Sequence, residues 1–231
     1  WGANSSGQVG IGSTIDQTTP VQIASLPPVI AVAAGQYHSM ALAADGTVYV
    51  WGANGYGELG LGSYSNKSTP VRVNTLSNIR AIAAGATHSV VLKADGTVYA
   101  MGGNFNGQLG DGTTTSHNTP SQVPGISMVT AIGTGGYHTF ALQGYGTIQA
   151  WGSNSSGQLC IGNNTTITSP VQVPNVTGVA QVMASGGTGN HSIFMTANGV
   201  LSSCGNNWNS QLGNGTNNAG YNVPVTVTPN W

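Results

Sequence analysis

The stretch WGANGYGELGLGSYSNKSTPVRV, Trp51–Val73, decides the fold. Its first twelve residues include five glycines, and glycine loses more backbone freedom on folding than any other residue. So costly a loop must impose backbone shapes that other residues avoid, either for a ligand or for the fold. The same pattern stands at Trp1 (WGANSSGQVGIG), Met101 (MGGNFNGQLGDG), Trp151 (WGSNSSGQLCIG) and Cys204 (CGNNWNSQLGNG). The five copies are spaced 50, 50, 50 and 53 residues apart, and a fixed period of this size marks a repeat architecture.

Two further patterns keep the same phase. TPVQI, TPVRV, TPSQV, SPVQV and VPVTV place Pro20, Pro70, Pro120, Pro170 and Pro224 one period apart. A longer segment of the type VAAGQYHSMALAADGTVYV occurs four times, the last copy with three extra residues in the loop from Gly186 to Asn190. Each unit reads as four short strands: A (VIAVAA), B (HSMALA), C (TVYVWG) and D (PVQI, opened by its proline at a sheet edge). The B to C link is a hairpin signalled by Asp45-Gly46, Asp95-Gly96 and Asn198-Gly199, with Tyr145-Gly146 as a weaker copy. The expectation is an all-β propeller of four-stranded antiparallel blades. A partial blade at 1–28 precedes complete blades at 29–78, 79–128, 129–178 and 179–231. The N-terminal D strand lacks its A, B and C partners, so the chain is expected to belong to a larger ring or to pair with another chain through that open strand.

Composition limits function. Only 4% of the 231 residues are charged, against roughly 25% in a typical domain, and none lies beyond Asp111. Four basic residues and a net charge of −1 give no stripe for phosphates, which argues against nucleic acid and against anionic lipid. No apolar run approaches the roughly 20 residues of a membrane-spanning helix. Trp1 opens inside a motif with no initiator Met, so the chain reads as a processed or excised part of something longer.

The pattern W-G-x-N-x-x-G-Q-L-G-x-G, then T-P-x-x-V, then I-A-A-G-x-x-H-S-x-A-L-x-x-D-G-x-V-Y resembles the regulator of chromosome condensation repeat. That resemblance runs from Trp1 to about Val227 and implies a β-propeller, commonly seven-bladed. It also implies jobs as different as nucleotide exchange on the Ran GTPase, inhibition of a β-lactamase and general protein binding, so it fixes fold better than function.

His38, His88, His138 and His191 share one repeat position. A ring of metal ligands would use neutral imidazoles, but a device repeated in every blade belongs to the fold, and blades space the rings too widely for one tetrahedral ion. Each is expected to bond a neighbouring backbone and lock blade to blade. His117 falls outside the pattern, as an exposed loop residue. Trp51 and Trp151 read as packing anchors. The carboxylates occupy turns and loops, and Ser39 beside His38 points to the opposite face of its strand, so no enzyme, cofactor or metal site is expected. Cys160 and Cys204 replace a loop Gly and the repeat Trp in neighbouring copies, giving either an inter-blade disulfide or two buried thiols.

Strand alternation puts the A to B turn and the C to D loop on one face. There the variable residues include Tyr37, Tyr56, Phe105, Tyr137 and Trp208, among Ser, Asn and Gly. They are candidates for a protein partner, with Tyr37 and Tyr137 alternatively plugging the channel mouth. A glycan bound by Tyr56, Phe105 and Trp208, and nucleotide exchange on a Ran-type GTPase, are rival readings. Eight N-x-[ST] sequons and a nearly chargeless surface favour a secreted or cell-surface setting, with glycans or self-association through open edge strands covering that surface.

Overall fold

The A, B and C strands alternate apolar and small residues, and each D strand is polar and half-exposed, so each unit closes as a meander with one protected edge and one wet one. A computed structural model describes residues 1–184 and 189–228. The first blade comprises β1 (Val29–Ala34), β2 (His38–Ala43), β3 (Val48–Gly52) and β4 (Lys67–Arg72). The second comprises β5 (Ile79–Ala84), β6 (His88–Lys93), β7 (Val98–Gly102) and β8 (His117–Gln122). The third comprises β9 (Val129–Thr134), β10 (His138–Gln143), β11 (Ile148–Gly152) and β12 (Ile167–Gln172). The fourth comprises β13 (Val179–Ala184), β14 (His191–Thr196), β15 (Leu201–Gly205) and β16 (Tyr221–Thr226). Every sheet is antiparallel in sequence order, and the described residues contain no helix.

The core lies between blades rather than inside them. Met40, Leu42, Val48 and Val50 of the first blade pack with Ile79, Val91 and Met101 of the second. Val90, Leu92 and Val98 continue onto Val129, Ala141 and Trp151, and Phe140 and Ile148 onto Val179 and Phe194. Each blade therefore depends on its neighbour for burial. The outer faces of the two end blades stay uncovered: Ile30 is 64% and Val32 76% exposed at one end, Met183 62% at the other.

Two local expectations need correction and a third gains detail. The D strand starts three residues before its proline. Pairing runs Tyr49 to Arg72 and Val50 to Val71, then jumps to Gly52 and Lys67, so Pro70 sits in a bulge where its missing N–H costs no ladder bond. The B to C link is the expected hairpin at Asp45-Gly46. Ala43 and Thr47 close it, Gly46 alone takes a positive φ of 80°, and Asp45 accepts bonds from the Thr47 N–H (3.0 Å) and hydroxyl (2.7 Å). The aspartate shapes the turn through its side chain rather than through a left-handed backbone. Finally, residues 19–23 form no strand ladder; the N-terminal segment makes only an isolated bridge between Gly2 and Gln17, because Trp1 and Gly2 are all it has of a C strand.

Candidate functional site

The glycine-rich loop after each C strand crosses to the next blade. Gly62 N–H donates to the Asn118 carbonyl (2.8 Å), Gly112 to Thr168 (2.9 Å), Gly162 to Asn222 (2.7 Å) and, from the N-terminal copy, Gly12 to Ser68 (2.8 Å). At the crossing, a Cβ on Gly57 would lie 2.5 Å from the Asn118 Cα, and its φ is 85°. The glycine is there because a neighbouring backbone occupies the space of a side chain. A buried asparagine braces each loop. Asn54 Oδ1 accepts the Leu59 N–H (3.0 Å) while its Nδ2 donates to the Ser63 (2.8 Å) and Ser65 (3.2 Å) carbonyls. Asn4, Asn104, Asn154 and Asn207 do the equivalent. Asn4 and Asn154, two of the sequon residues, are fully buried in this role.

Trp51 and Trp151 are buried, and their indole N–H groups donate to the Gln8 (2.8 Å) and Gln108 (2.9 Å) carbonyls of the preceding loop copy. A Cβ on Gly10 would meet the Trp51 indole, as one on Gly110 would meet Trp151. Where the repeat stacks Gly under Trp, the fourth junction has Cys160 under Cys204. These two are bonded, with Cα atoms 5.6 Å apart. Cys160 keeps the positive φ (60°) of the glycine slot it fills.

The histidines act one step differently from the expected backbone bond. His38 Nε2 meets the Ser89 hydroxyl at 3.0 Å, and that hydroxyl donates to the Glu58 carbonyl at 2.7 Å. His88 meets Thr139 (3.1 Å), which donates to Gln108 (2.9 Å), and His138 meets Ser192 (2.8 Å), which donates to Gln158 (2.8 Å). Since each hydroxyl spends its proton on a carbonyl, it must accept from the ring, which fixes the Nε2–H tautomer. The Nδ1 atoms of these three rings are buried without a partner, packed on the glycine three residues upstream. Burial pushes the His38 imidazole down to about 4, and burial with help from neighbouring histidines pushes His88 and His138 to about 3. His191 is half-buried, and burial lowers it too. The His38, His88 and His138 rings are thus neutral rivets between blades, each Nε2 spent on the next blade's hydroxyl and each Nδ1 buried against a glycine. The hydroxyl partners had a sequence signal, since Ser or Thr follows every repeat histidine. Ser39 is engaged likewise, donating to the Gln8 carbonyl (2.9 Å) rather than serving His38 as a nucleophile. His117, expected to be exposed, is partly buried and holds Asp111 at 2.7 Å.

The A to B turns and C to D loops do share a face. Ala53, Gly103 and Ser153 N–H groups bond the carbonyls of Tyr37, Thr87 and Tyr137 at 2.8 Å. The fourth such turn, around Gly187 and Thr188, lies outside the described residues. On this face Tyr56 and Phe105 from adjacent blades meet edge to face, ring centres 5.4 Å apart, and remain 43% and 65% exposed. Tyr37 is exposed and Tyr137 half-buried, two blades apart. Trp208 does not join the Tyr56–Phe105 pair. It stands over a separate groove of about 390 Å³ lined by Ser155, Ser156, Asn164, Tyr221 and Asn222. Ser156 lines it at the slot that Tyr56 holds in an earlier copy.

Beside this geometry, the family model of the RCC1-like domain matches the chain at residues 1–230. The chain belongs to the RCC1-like domain family. Its fold resembles that of human WBSCR16, with 25% identity over 98% of this chain and 61% of that one (TM-score 0.85). It also resembles Prp20 of yeast. The Saccharomyces cerevisiae structure described with its binding to Gsp1p and histones matches at 22% identity over 93% of this chain and 54% of that one (TM-score 0.78). The yeast RCC1 (Prp20) bound by Kap60 matches at 24% identity over 100% of this chain and 57% of that one (TM-score 0.85). This RCC1-like chain therefore spans between half and two thirds of the length of those propellers.

Proposed function

We propose that this chain is a non-catalytic protein-binding module that captures its partner on the loop face. The observation that carries this is the Tyr56–Phe105 pair: two aromatic rings from different blades, in contact with each other yet largely open to solvent. Aromatic anchors held rigid by their own scaffold are the usual centres of binding energy in protein interfaces. The histidine rivets and buried asparagines give that scaffold its rigidity, and their engagement in the fold leaves them no catalytic role. A secreted or cell-surface setting is part of the proposal, supported by the Cys160–Cys204 disulfide, which persists in oxidising compartments. The exposed apolar faces of the end blades support association with further blades or with another chain.

The test replaces both rings with the residues of the first copy, Tyr56→Ser and Phe105→Ser. Quantitative affinity capture from secretions should lose one or more partners with the variant while its thermal unfolding stays within a few degrees. Identical capture profiles would overturn the assignment. Nucleotide exchange on a Ran-type GTPase is the second reading, supported by family membership. It requires that the chain accelerate release of labelled GDP from such a GTPase, and an unchanged release rate removes it.

A further inference from the structure

The propeller rim carries the same groove twice. In the earlier copy, about 350 Å³ is lined by Gly10, Gln22, Ala24, Ser25 and Thr69. Fifty residues on, about 470 Å³ is lined by Gly60, Lys67, Arg72, Asn74, Thr75 and Thr119. Gly10, Gln22, Ala24, Ser25 and Thr69 correspond to Gly60, Arg72, Asn74, Thr75 and Thr119, but Lys67 is added to the second groove and the chemistry differs. Arg72 stands where the other copies have Gln22, Gln122, Gln172 and Thr226, and Lys67 where they have Gln17, His117, Ile167 and Tyr221. Half of the chain's four basic residues thus converge on one groove, and among the described residues no carboxylate lines it. The Asp45 carboxylate lies within electrostatic reach of Arg72 but is already held by Thr47.

We propose that this groove binds an acidic peptide segment, its carboxylates paired with Lys67 and Arg72 and its polar groups met by Asn74 and Thr75. Charge complementarity selects an anion, because in a surface this poor in charge two convergent cations are the dominant local field. The volume selects a peptide over a lone ion, since it lies in the range of ordinary ligand pockets and far exceeds the roughly 30 Å³ of one water. Two cations are too few to track a nucleic-acid backbone. Pro70, in the bordering edge strand, has no N–H to offer an added strand, so recognition runs through side chains.

Fluorescence anisotropy of a labelled hexaglutamate peptide at low salt tests this with the whole chain. Lys67→Gln with Arg72→Gln rebuilds the first copy's chemistry, so the fold has a precedent for it, and the Kd should weaken at least tenfold. Lys93→Gln removes an equal single charge elsewhere, again to a residue the repeat already uses (Gln143), and should change Kd less than twofold. Tyr56→Ser with Phe105→Ser should leave binding intact, which separates this groove from the loop-face partner. The proposal is overturned if the unaltered chain does not bind the peptide, if Lys93→Gln weakens binding as much as Arg72→Gln, or if inorganic phosphate or labelled oligothymidylate binds more tightly than the peptide.

Discussion

Acidification should unfasten the blades. Neutral histidine in an unfolded chain titrates near 6.5, whereas His38 titrates at about 4 and His88 and His138 at about 3 in the fold. Between those values the unfolded state binds more protons, so stability is fully present above about pH 6.5 and is lost as pH falls toward the folded values. At pH 5 an unfolded imidazole is about 97% protonated while each rivet stays neutral, and linkage makes that worth about 2 kcal/mol per site. The three together remove about 6 kcal/mol, a large share of the 5–15 kcal/mol typical of a domain. His191, lowered by its own burial, adds in the same direction. Asp45 and Asp95, held below the ordinary carboxylate range mainly by bonds from Thr47 and Thr97, stay charged throughout this window. Glu58, raised by burial, works in the opposite sense and regains stability as pH falls. Urea unfolding followed by tryptophan fluorescence at half-unit steps from pH 8 to pH 5 measures the slope. The double variant His88→Gln and His138→Gln should lose about two thirds of the dependence contributed by the three rivets. A midpoint that is flat down to pH 5, or a slope unchanged in that variant, would refute the neutral-rivet account.

Reduction of Cys160–Cys204 releases a cross-link of 44 residues and should cost about 4 kcal/mol by chain entropy, measured as the fall in unfolding midpoint with reductant. Cys160→Gly with Cys204→Trp, which restores the repeat's own pair, should recover more of that loss than Cys160→Ala with Cys204→Ala. Gly57→Ala drives a methyl into the Asn118 backbone at a positive φ and should destabilise by about 2–4 kcal/mol. Gly55→Ala, two residues away in open space, should stay within about 0.5 kcal/mol in the same denaturation assay. Glu58 occupies the slot of Gln8, Gln108 and Gln158 and holds the Tyr56 N–H at 2.8 Å with a buried carboxylate. Glu58→Gln keeps the acceptor without the charge and should raise stability by about 0.5–2 kcal/mol at pH 7.5, with a smaller gain near pH 4.5.

The amino-acid sequence determined what is local and repeated. A 50-residue period, three apolar runs and a proline-marked polar one per period, and a turn signal between the second and third are enough to specify the four-stranded blade, because strand pairing in a meander joins neighbours along the chain. It also marked the histidine, tryptophan and cysteine slots as places where the repeat is kept or broken. The tertiary structure decided everything that crosses from one repeat to the next. His38 finds Ser89 51 residues away, and Gly57 is required by the backbone at Asn118. Cys160 meets Cys204 because one fills a glycine slot and the other the tryptophan slot above it. Lys67 and Arg72 share a groove only because a bulge at Pro70 and the next blade's Thr119 close it around them. The physical reason is the same throughout: the strand-pairing hydrogen bonds of a blade are made within its own chain segment, whereas its apolar faces, loop straps, rivets and grooves are completed by another blade whose approach no single repeat encodes.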